Sequence, residues 1–402
     1  MTTVVLYSHD SVGLGHARRN RALAFTLASA LPALIGEPVR GLLIAGHPDA
    51  SRDSLPPGWD WLVLPGVTHG TTSTGARGYV ARALDAGPAR MRALRGSVVR
   101  AAVDALDPDL FVVDRHPYGA DRELAGVLDR LRDNGCRTVL GLRDVLDAPG
   151  AAAAEWARLG DARRLADAFD AVWLYGDTGV HDARTTGELP GVLADKAIPT
   201  GYLARGRPPA TGGAPRGPYV LTLLGGGSDG RDLAELAVAA EVPEGHEHLV
   251  VTGPQLPPEH AAHLNALSAR QATGGRGTTI VRTAPNVPEL IARASAVVSM
   301  CGYNTATEIM ASSTPALVLP RTQRRLEQEL RARGLASVGA LDHRPLAAVT
   351  PDDLSGWLAG AVGRRTTRHH LDLDGLRRVP QLAAALLDRT PVAHTRKRCH
   401  AQ

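Results

Sequence analysis

Short apolar, β-branched runs recur along the chain and alternate with longer Ala/Leu/Arg-rich segments of helical periodicity. Runs without polar alternation mark strands buried on both faces, as in a parallel sheet covered by helices. In the first half they predict strands over 3–8, 39–45, 61–64, 110–114, 138–142 and 171–175, with helices over 17–30, 78–106, 122–134 and 152–169. The stretch "ARGRPPATGGAPRGP", 204–218, then breaks the rhythm with four prolines and four glycines, the composition of a linker. Beyond it the rhythm restarts, with strands predicted over 219–224, 248–252, 279–282, 296–300 and 316–319. The expectation is an α/β protein of two doubly wound, Rossmann-like domains, 1–203 and 219–388, facing each other across a cleft. The last helix is able to pack back on the first domain, and residues 389–402 form a basic tail.

Composition narrows the classes. A chain of 402 residues exceeds one ordinary core, which agrees with two domains. No apolar run is long enough to span a bilayer, and the N-terminus lacks the basic and small-residue pattern of a secretion signal. A cytoplasmic location is expected, with membrane contact at most peripheral. Cys136, Cys301 and Cys399 are far apart and suggest neither a zinc site nor a disulfide framework. The net charge of +4 comes almost wholly from arginine, Lys196 and Lys397 being the lysines, and aromatics make up only 4%. A basic surface without stacking rings argues against nucleic acid as a partner.

Three motifs in the second half suggest a bound nucleotide. "LTLLGGGSDGRDLAELA" is a strand, three glycines and a helix, so Gly225, Gly226, Gly227 and Ser228 can bring backbone amides up to a diphosphate. No Lys-Ser/Thr pair follows, which excludes a Walker loop. In "VRTAPNVPELIARASAVVSM", Asn286 is a plausible helix cap, and Arg282 and Thr283 end a strand where they could line a base. In "SMCGYNTATEIMASSTPALVLPRTQRRLEQEL" a strand ends at Met300 and a helix begins near Thr305, offering the amides of Asn304 and Thr305 to an anion. Glu308, one turn into that helix, can accept two ribose hydroxyls. Glu327 and Gln328 combine acceptors and donors suited to sugar hydroxyls.

The order of glycine-rich loop, "SxxGYNTxxEIMxxxxPALVLP" and Glu-Gln pair resembles the donor half of the GT-B glycosyltransferases, most of all glycosyltransferase family 28, which contains the lipid-linked N-acetylglucosaminyltransferase of peptidoglycan synthesis. The family's small residue after the serine-ended strand is Cys301 here, and its two glutamines near the sugar are Glu327 and Gln328. "FVVDRHPYG" and "LGLRDVLDAP" further resemble uncharacterised bacterial proteins predicted to be glycosyltransferases. The resemblance implies a nucleoside diphosphate sugar, UDP foremost, as co-substrate, and an inverting transfer of a hexosyl or N-acetylhexosaminyl group.

The first strand is followed by "SHDSVGLGHARRN". Gly13 and Gly15 begin a dinucleotide fingerprint, but its third glycine is replaced by Arg18. In a sheet of order 3-2-1-4 the tips of the first and fourth strands adjoin, so Asp114 can orient His16 as a general base toward an acceptor hydroxyl. A family base of this kind is what the resemblance implies. Asp10 and His116 are reserve candidates. Gly13, Gly15, Arg18 and His116 are expected near the acceptor, with Arg18 and Arg19 placed to assist the leaving group. No acidic pair marks a nucleotide-bound metal, so neither metal nor further cofactor is expected. Residues 65–78, polar and glycine-rich, read as a mobile loop over the acceptor, with His69 a solvated loop residue. The absence of a long apolar surface segment favours a hydrophilic small-molecule acceptor of antibiotic type. Two alternatives remain open: a nucleotide-sugar 2-epimerase, and a non-catalytic nucleotide-sugar-binding partner.

Overall fold

The computed structural model describes residues 1–11, 13–71, 75, 77–208, 213–227, 229–271, 278–321 and 325–388. Ser228, part of the linker and the basic tail with Cys399 lie outside them.

The first sheet contains β1 (Thr2–Tyr7), β2 (Val39–Ala45), β3 (Trp59–Val63), β6 (Leu110–Asp114), β7 (Arg137–Arg143), β8 (Ala171–Tyr175) and β9 (Ala197–Pro199), after a separate hairpin of β4 (Val67–Thr71) and β5 (Arg77–Ala81). Its order is β3-β2-β1-β6-β7-β8-β9 and its pairs are parallel. Helices α1 (Gly15–Ile35), α2 (Pro88–Leu106), α3 (Ala125–Asp133), α4 (Pro149–Leu159), α5 (Ala162–Asp167) and α6 (Gly191–Ala194) connect these strands. β1 and β6 are buried along their whole length because they lie at the centre, which is why their sequences are continuous apolar runs.

The second sheet has the order β12-β11-β10-β13-β14-β15. Its strands are β10 (Tyr219–Leu223), β11 (Glu247–Val251), β12 (Thr278–Val281), β13 (Ala296–Ser299), β14 (Ala316–Val318) and β15 (Asp342–His343). The helices are α7 (Arg231–Ala239), α8 (Pro258–Gln271), α9 (Val287–Arg293), α10 (Tyr303–Met310), α11 (Glu327–Ser337), α12 (Pro351–Ala361) and α13 (Gly375–Asp388). α13 crosses to the first domain and packs on α1, where Thr26 Oγ1 donates to the Leu376 carbonyl at 2.6 Å. One apolar cluster runs from Val4, Leu23 and Leu27 through Leu376 and Ala383 to Leu221 and Val297, so the two sheets share core.

Three sequence expectations need correction. Within residues 65–78, Val67–Thr71 and the start of Arg77–Ala81 are not free loop but pair as β4 and β5, with His69 opposite Tyr79 and Thr68 opposite Val80; 72–74 and 76 lie outside the described residues. The helix expected from 78 starts at Pro88, after Gly87, because the Arg77–Ala81 segment is taken by that pairing. The helix expected over 152–169 is two, broken at Gly160 (φ 102°) and restarted by Asp161, whose side chain accepts from the Arg163 amide. Asn286 caps α9 as its sequence suggested, accepting from the Glu289 amide.

Candidate functional site

β1 pairs with β6 so that Tyr7 stands opposite Val113. The residues that follow Tyr7 and those that follow Asp114 therefore leave the same edge side by side. Asp10 turns back in a left-handed conformation (φ 42°) and accepts from the Ala17 amide at 3.0 Å and from Ser8 Oγ at 2.5 Å. Its carboxylate thus satisfies a free amide of α1. Asp10 is fully buried. Burial pushes its pKa up, against the pull of His16 and of these hydrogen bonds.

His16 is the second residue of α1 and partly exposed. Its Nδ1 lies 3.4 Å from Asp114 Oδ2. The structure therefore brings together the imidazole and carboxylate inferred from strand order. It also adds a third group. Arg19 Nη2 donates to both Asp114 oxygens at 2.7 Å and lies 3.0 Å from His16 Nδ1. Arg19 is buried, so its expected place beside a leaving group is corrected: it faces Asp114 from one helical turn along α1. Burial alone would raise the Asp114 pKa, but Arg19 and His16 reverse this and hold the carboxyl well below its usual range.

Further rings border His16. His9 is buried, with its centroid 4.8 Å from that of His16 and 4.3 Å from that of His116. Burial, with the neighbouring imidazole, depresses the pKa of both His9 and His116, which favours neutral rings. His116 Nδ1 is 3.8 Å from Glu155. His69, expected as a solvated loop residue, lies with its ring 4.6 Å from that of Tyr79 on the hairpin.

Across the cleft, β10 ends in a loop whose Gly225 (φ 64°) and Gly227 (φ 88°) are left-handed. A Cβ on Gly227 would stand 2.2 Å from the Thr252 carbonyl, so only glycine fits there. The loop after β13 holds Cys301 at φ 62°, the conformation that explains a small residue at this point of the motif. It delivers Asn304 and Thr305 into the first turn of α10. Asn304 Nδ2 donates to the Gly15 carbonyl at 2.9 Å. Added Cβ atoms on Gly13 and Gly15 would meet Gln255 and Asn304 at 3.3 and 3.4 Å. The two glycines thus let the first-domain loop approach the second domain closely.

The remaining candidates are placed as follows. Glu308 is buried, and its Oε1 accepts from Arg18 at 3.0 Å and Arg207 at 3.4 Å, whereas Oε2 has no partner among the described residues. Arg18 is therefore an interdomain contact. Arg207, in the linker and unremarked in the sequence, also donates to Thr307 at 2.8 Å and Asn304 at 3.3 Å. Glu327 accepts from Arg143 of the first domain at 2.7 Å, and although burial opposes it, Arg143 and neighbouring arginines bring its pKa down to about 2. Gln328 is buried, and its amide, assigned in the orientation that satisfies both ends, donates to the Met300 carbonyl at 2.8 Å and accepts from Arg321 at 3.3 Å. Arg282 is exposed and donates to the Pro254 carbonyl, and Thr283 is exposed beside it. Among the described residues no cluster of His, Cys, Asp and Glu could hold a metal ion.

Comparison with solved structures decides the architecture. The glycosyltransferase VinC in complex with dTDP superposes with a TM-score of 0.56 at 16% identity, covering 97% of this chain and 96% of that one. Phytolacca americana UGT2, complexed with UDP-2-fluoroglucose and pterostilbene, gives 0.57 at 15% identity, covering 96% and 94%. The fold is GT-B. No family model matches the chain. In sequence, a UDP-N-acetylglucosamine–N-acetylmuramyl-(pentapeptide) pyrophosphoryl-undecaprenol N-acetylglucosamine transferase of Leuconostoc citreum (strain KM20) is 28% identical over 139 residues, 33% of this chain. The match spans only 36% of that relative's length. No helix among the described residues is long and apolar enough to cross a membrane.

Within the GT-B cleft, His9, Arg19 and Arg207 are the groups that sequence reasoning missed or misplaced. His9 had a usable signal, a polar residue directly after a buried strand. Arg19 and Arg207 had none, since arginine is ordinarily a surface residue.

Proposed function

We propose that the protein is an inverting, metal-independent glycosyltransferase that moves a sugar from a nucleoside diphosphate, UDP foremost, to a hydroxyl of a small hydrophilic acceptor. The observation that carries this reading is the placement of His16 beside Asp114 at the tip of β1, in the loop that touches the amino end of α10 through Gly15 and Asn304. The diphosphate docks against the amides of Gly225–Gly227, Asn304 and Thr305, where backbone donors and the dipole of α10 meet the growing negative charge of the leaving group. Glu308 Oε2, buried and without a partner among the described residues, is a suitable acceptor for a ribose hydroxyl. Glu327 and Gln328 lie beside the sugar, and Arg282 and Thr283 border the base. The acceptor enters along Gly13, Gly15, Arg18 and His116. His16 takes its proton as the oxygen attacks the anomeric carbon, and the nucleoside diphosphate leaves from the opposite face.

The dTDP and UDP-sugar complexes named above support a nucleoside diphosphate as the donor class, and a thermal-shift panel of UDP, dTDP and GDP distinguishes the bases. His16→Ala is expected to lower turnover at least about 100-fold while leaving diphosphate binding nearly intact. Equal loss of both would make the loop a binding element. Release of a 2-epimer from UDP-N-acetylglucosamine without acceptor would replace transfer by epimerisation.

A further inference from the structure

Arg19 makes the His16–Asp114 pair more than a simple acid–base couple. Its Nη2 is 3.0 Å from His16 Nδ1, closer than the 3.4 Å that separates Nδ1 from Asp114 Oδ2. A guanidinium nitrogen is a donor and never an acceptor. The contact is therefore attractive only when Nδ1 carries a bare lone pair. With a proton on Nδ1, two N–H groups would confront each other. Its bond to Asp114 would also exceed the usual range of roughly 2.7–3.2 Å. Asp114 meanwhile has both oxygens 2.7 Å from the same Arg19 Nη2, so that one of that nitrogen's two hydrogens is shared between the carboxylate oxygens and the other is left for Nδ1.

We propose that Arg19 is a positioning residue that holds His16 in the Nε2–H tautomer in the donor-free protein. This rests on the reading of His16 as the base. Asp114 and Arg19 occupy the Nδ1 side of the ring, so a base facing the acceptor must use Nε2, and Nε2 is already protonated while Arg19 stays in place. Competence requires the guanidinium to leave Nδ1, so that Nδ1–H can bond Asp114. The switch moves one proton from Nε2 to Nδ1 through water, with no net change of charge.

The position of Arg19 suits such a control. Its guanidinium stands over the ring of Tyr303, the first residue of α10, at 5.3 Å, and its buried Nε has no partner among the described residues. The group is thus held at the domain boundary, one residue from Asn304, and is exposed to any charge placed on the amino end of α10.

The test reads the tautomer directly. Donor-free protein, isotope-labelled at both histidine ring nitrogens, is observed by long-range proton–nitrogen correlation above the imidazole titration range, the His16 signals being those lost in His16→Gln. The wild type should show Nε2–H, and Arg19→Met should show Nδ1–H. Nδ1–H in the wild type overturns the proposal whether or not the variant folds, and Nε2–H persisting in folded Arg19→Met overturns it as well. The readout needs no turnover. Full activity in His16→Ala would therefore remove the base and leave the tautomer assignment standing, whereas Nδ1–H in the wild type would do the reverse.

Discussion

Asp144 and Arg331 offer a sharp test of how the two domains are held. Asp144 follows β7 in the first domain and Arg331 lies on α11 in the second, and both side chains are 0% exposed. Arg331 donates to Asp144 at 2.7, 2.9 and 3.0 Å and to the Cys301 carbonyl at 3.0 Å, with its guanidinium over the Tyr303 ring at 5.7 Å. Asp144→Asn keeps the shape but leaves a buried cation without its counter-charge. Breaking a buried pair from one side costs about 3–5 kcal/mol. Arg331→Met should cost as much, because it strands the carboxylate. Removing both charges together should cost far less than the sum, with a coupling of at least about 2 kcal/mol. Urea unfolding followed by tryptophan fluorescence and circular dichroism reads all four proteins and shows whether the domains unfold together. Additive losses, or single-variant losses below about 1 kcal/mol, would mean that the pair is hydrated and does not clamp the domains.

Other consequences can be measured separately. His248 is buried on β11, its Nε2 is 2.9 Å from Thr222 Oγ1, and burial holds its pKa down to about 4 from 6.5. The unfolded chain binds this proton first as pH falls. The stability contribution is thus complete above about pH 6.5 and lost on descent through about pH 4. It should amount to about 2 kcal/mol between pH 7 and pH 5, a loss that His248→Gln removes from the unfolding profile. Gly225→Ala meets open space and should cost about 1 kcal/mol for its left-handed backbone, whereas Gly227→Ala also drives a Cβ into the Thr252 carbonyl and should cost about 3 kcal/mol or more; similar midpoints in urea would contradict this contrast. Arg18→Ala should cost under about 1 kcal/mol because its side chain is 41% exposed and Glu308 keeps Arg207, and a loss above about 2 kcal/mol would make Arg18 the main tie between domains.

The parallel sheets were legible because their strands are buried on both faces, and a run such as Leu110–Asp114 needs no distant partner to be recognised. The β4–β5 hairpin was not legible, since Arg77–Ala81 is a strand only through its pairing with Val67–Thr71. The break at Gly160 and Asp161 rests on a glycine and a capping residue, a signal that the surrounding helical composition masks. In the site, strand order was enough to bring His16 to Asp114, because neighbouring parallel strands end at the same edge. Arg19 was expected beside the leaving group, and its burial was not legible because it depends on the charge it meets, Asp114, which is 95 residues away in the chain. Gly13 and Gly15 begin a fingerprint that Arg18 breaks off, and the close approach to Gln255 and Asn304 that their small size serves depends on the second domain, which the local pattern does not show.

The most direct measurement is a crystal structure with bound UDP, refined alongside the donor-free protein. The proposed function requires the diphosphate against the amides of Gly225–Gly227, Asn304 and Thr305, with the His16 ring on the facing wall. Nucleotide density on the first-domain loop at Gly13 and Gly15, or anywhere away from α10, would contradict it.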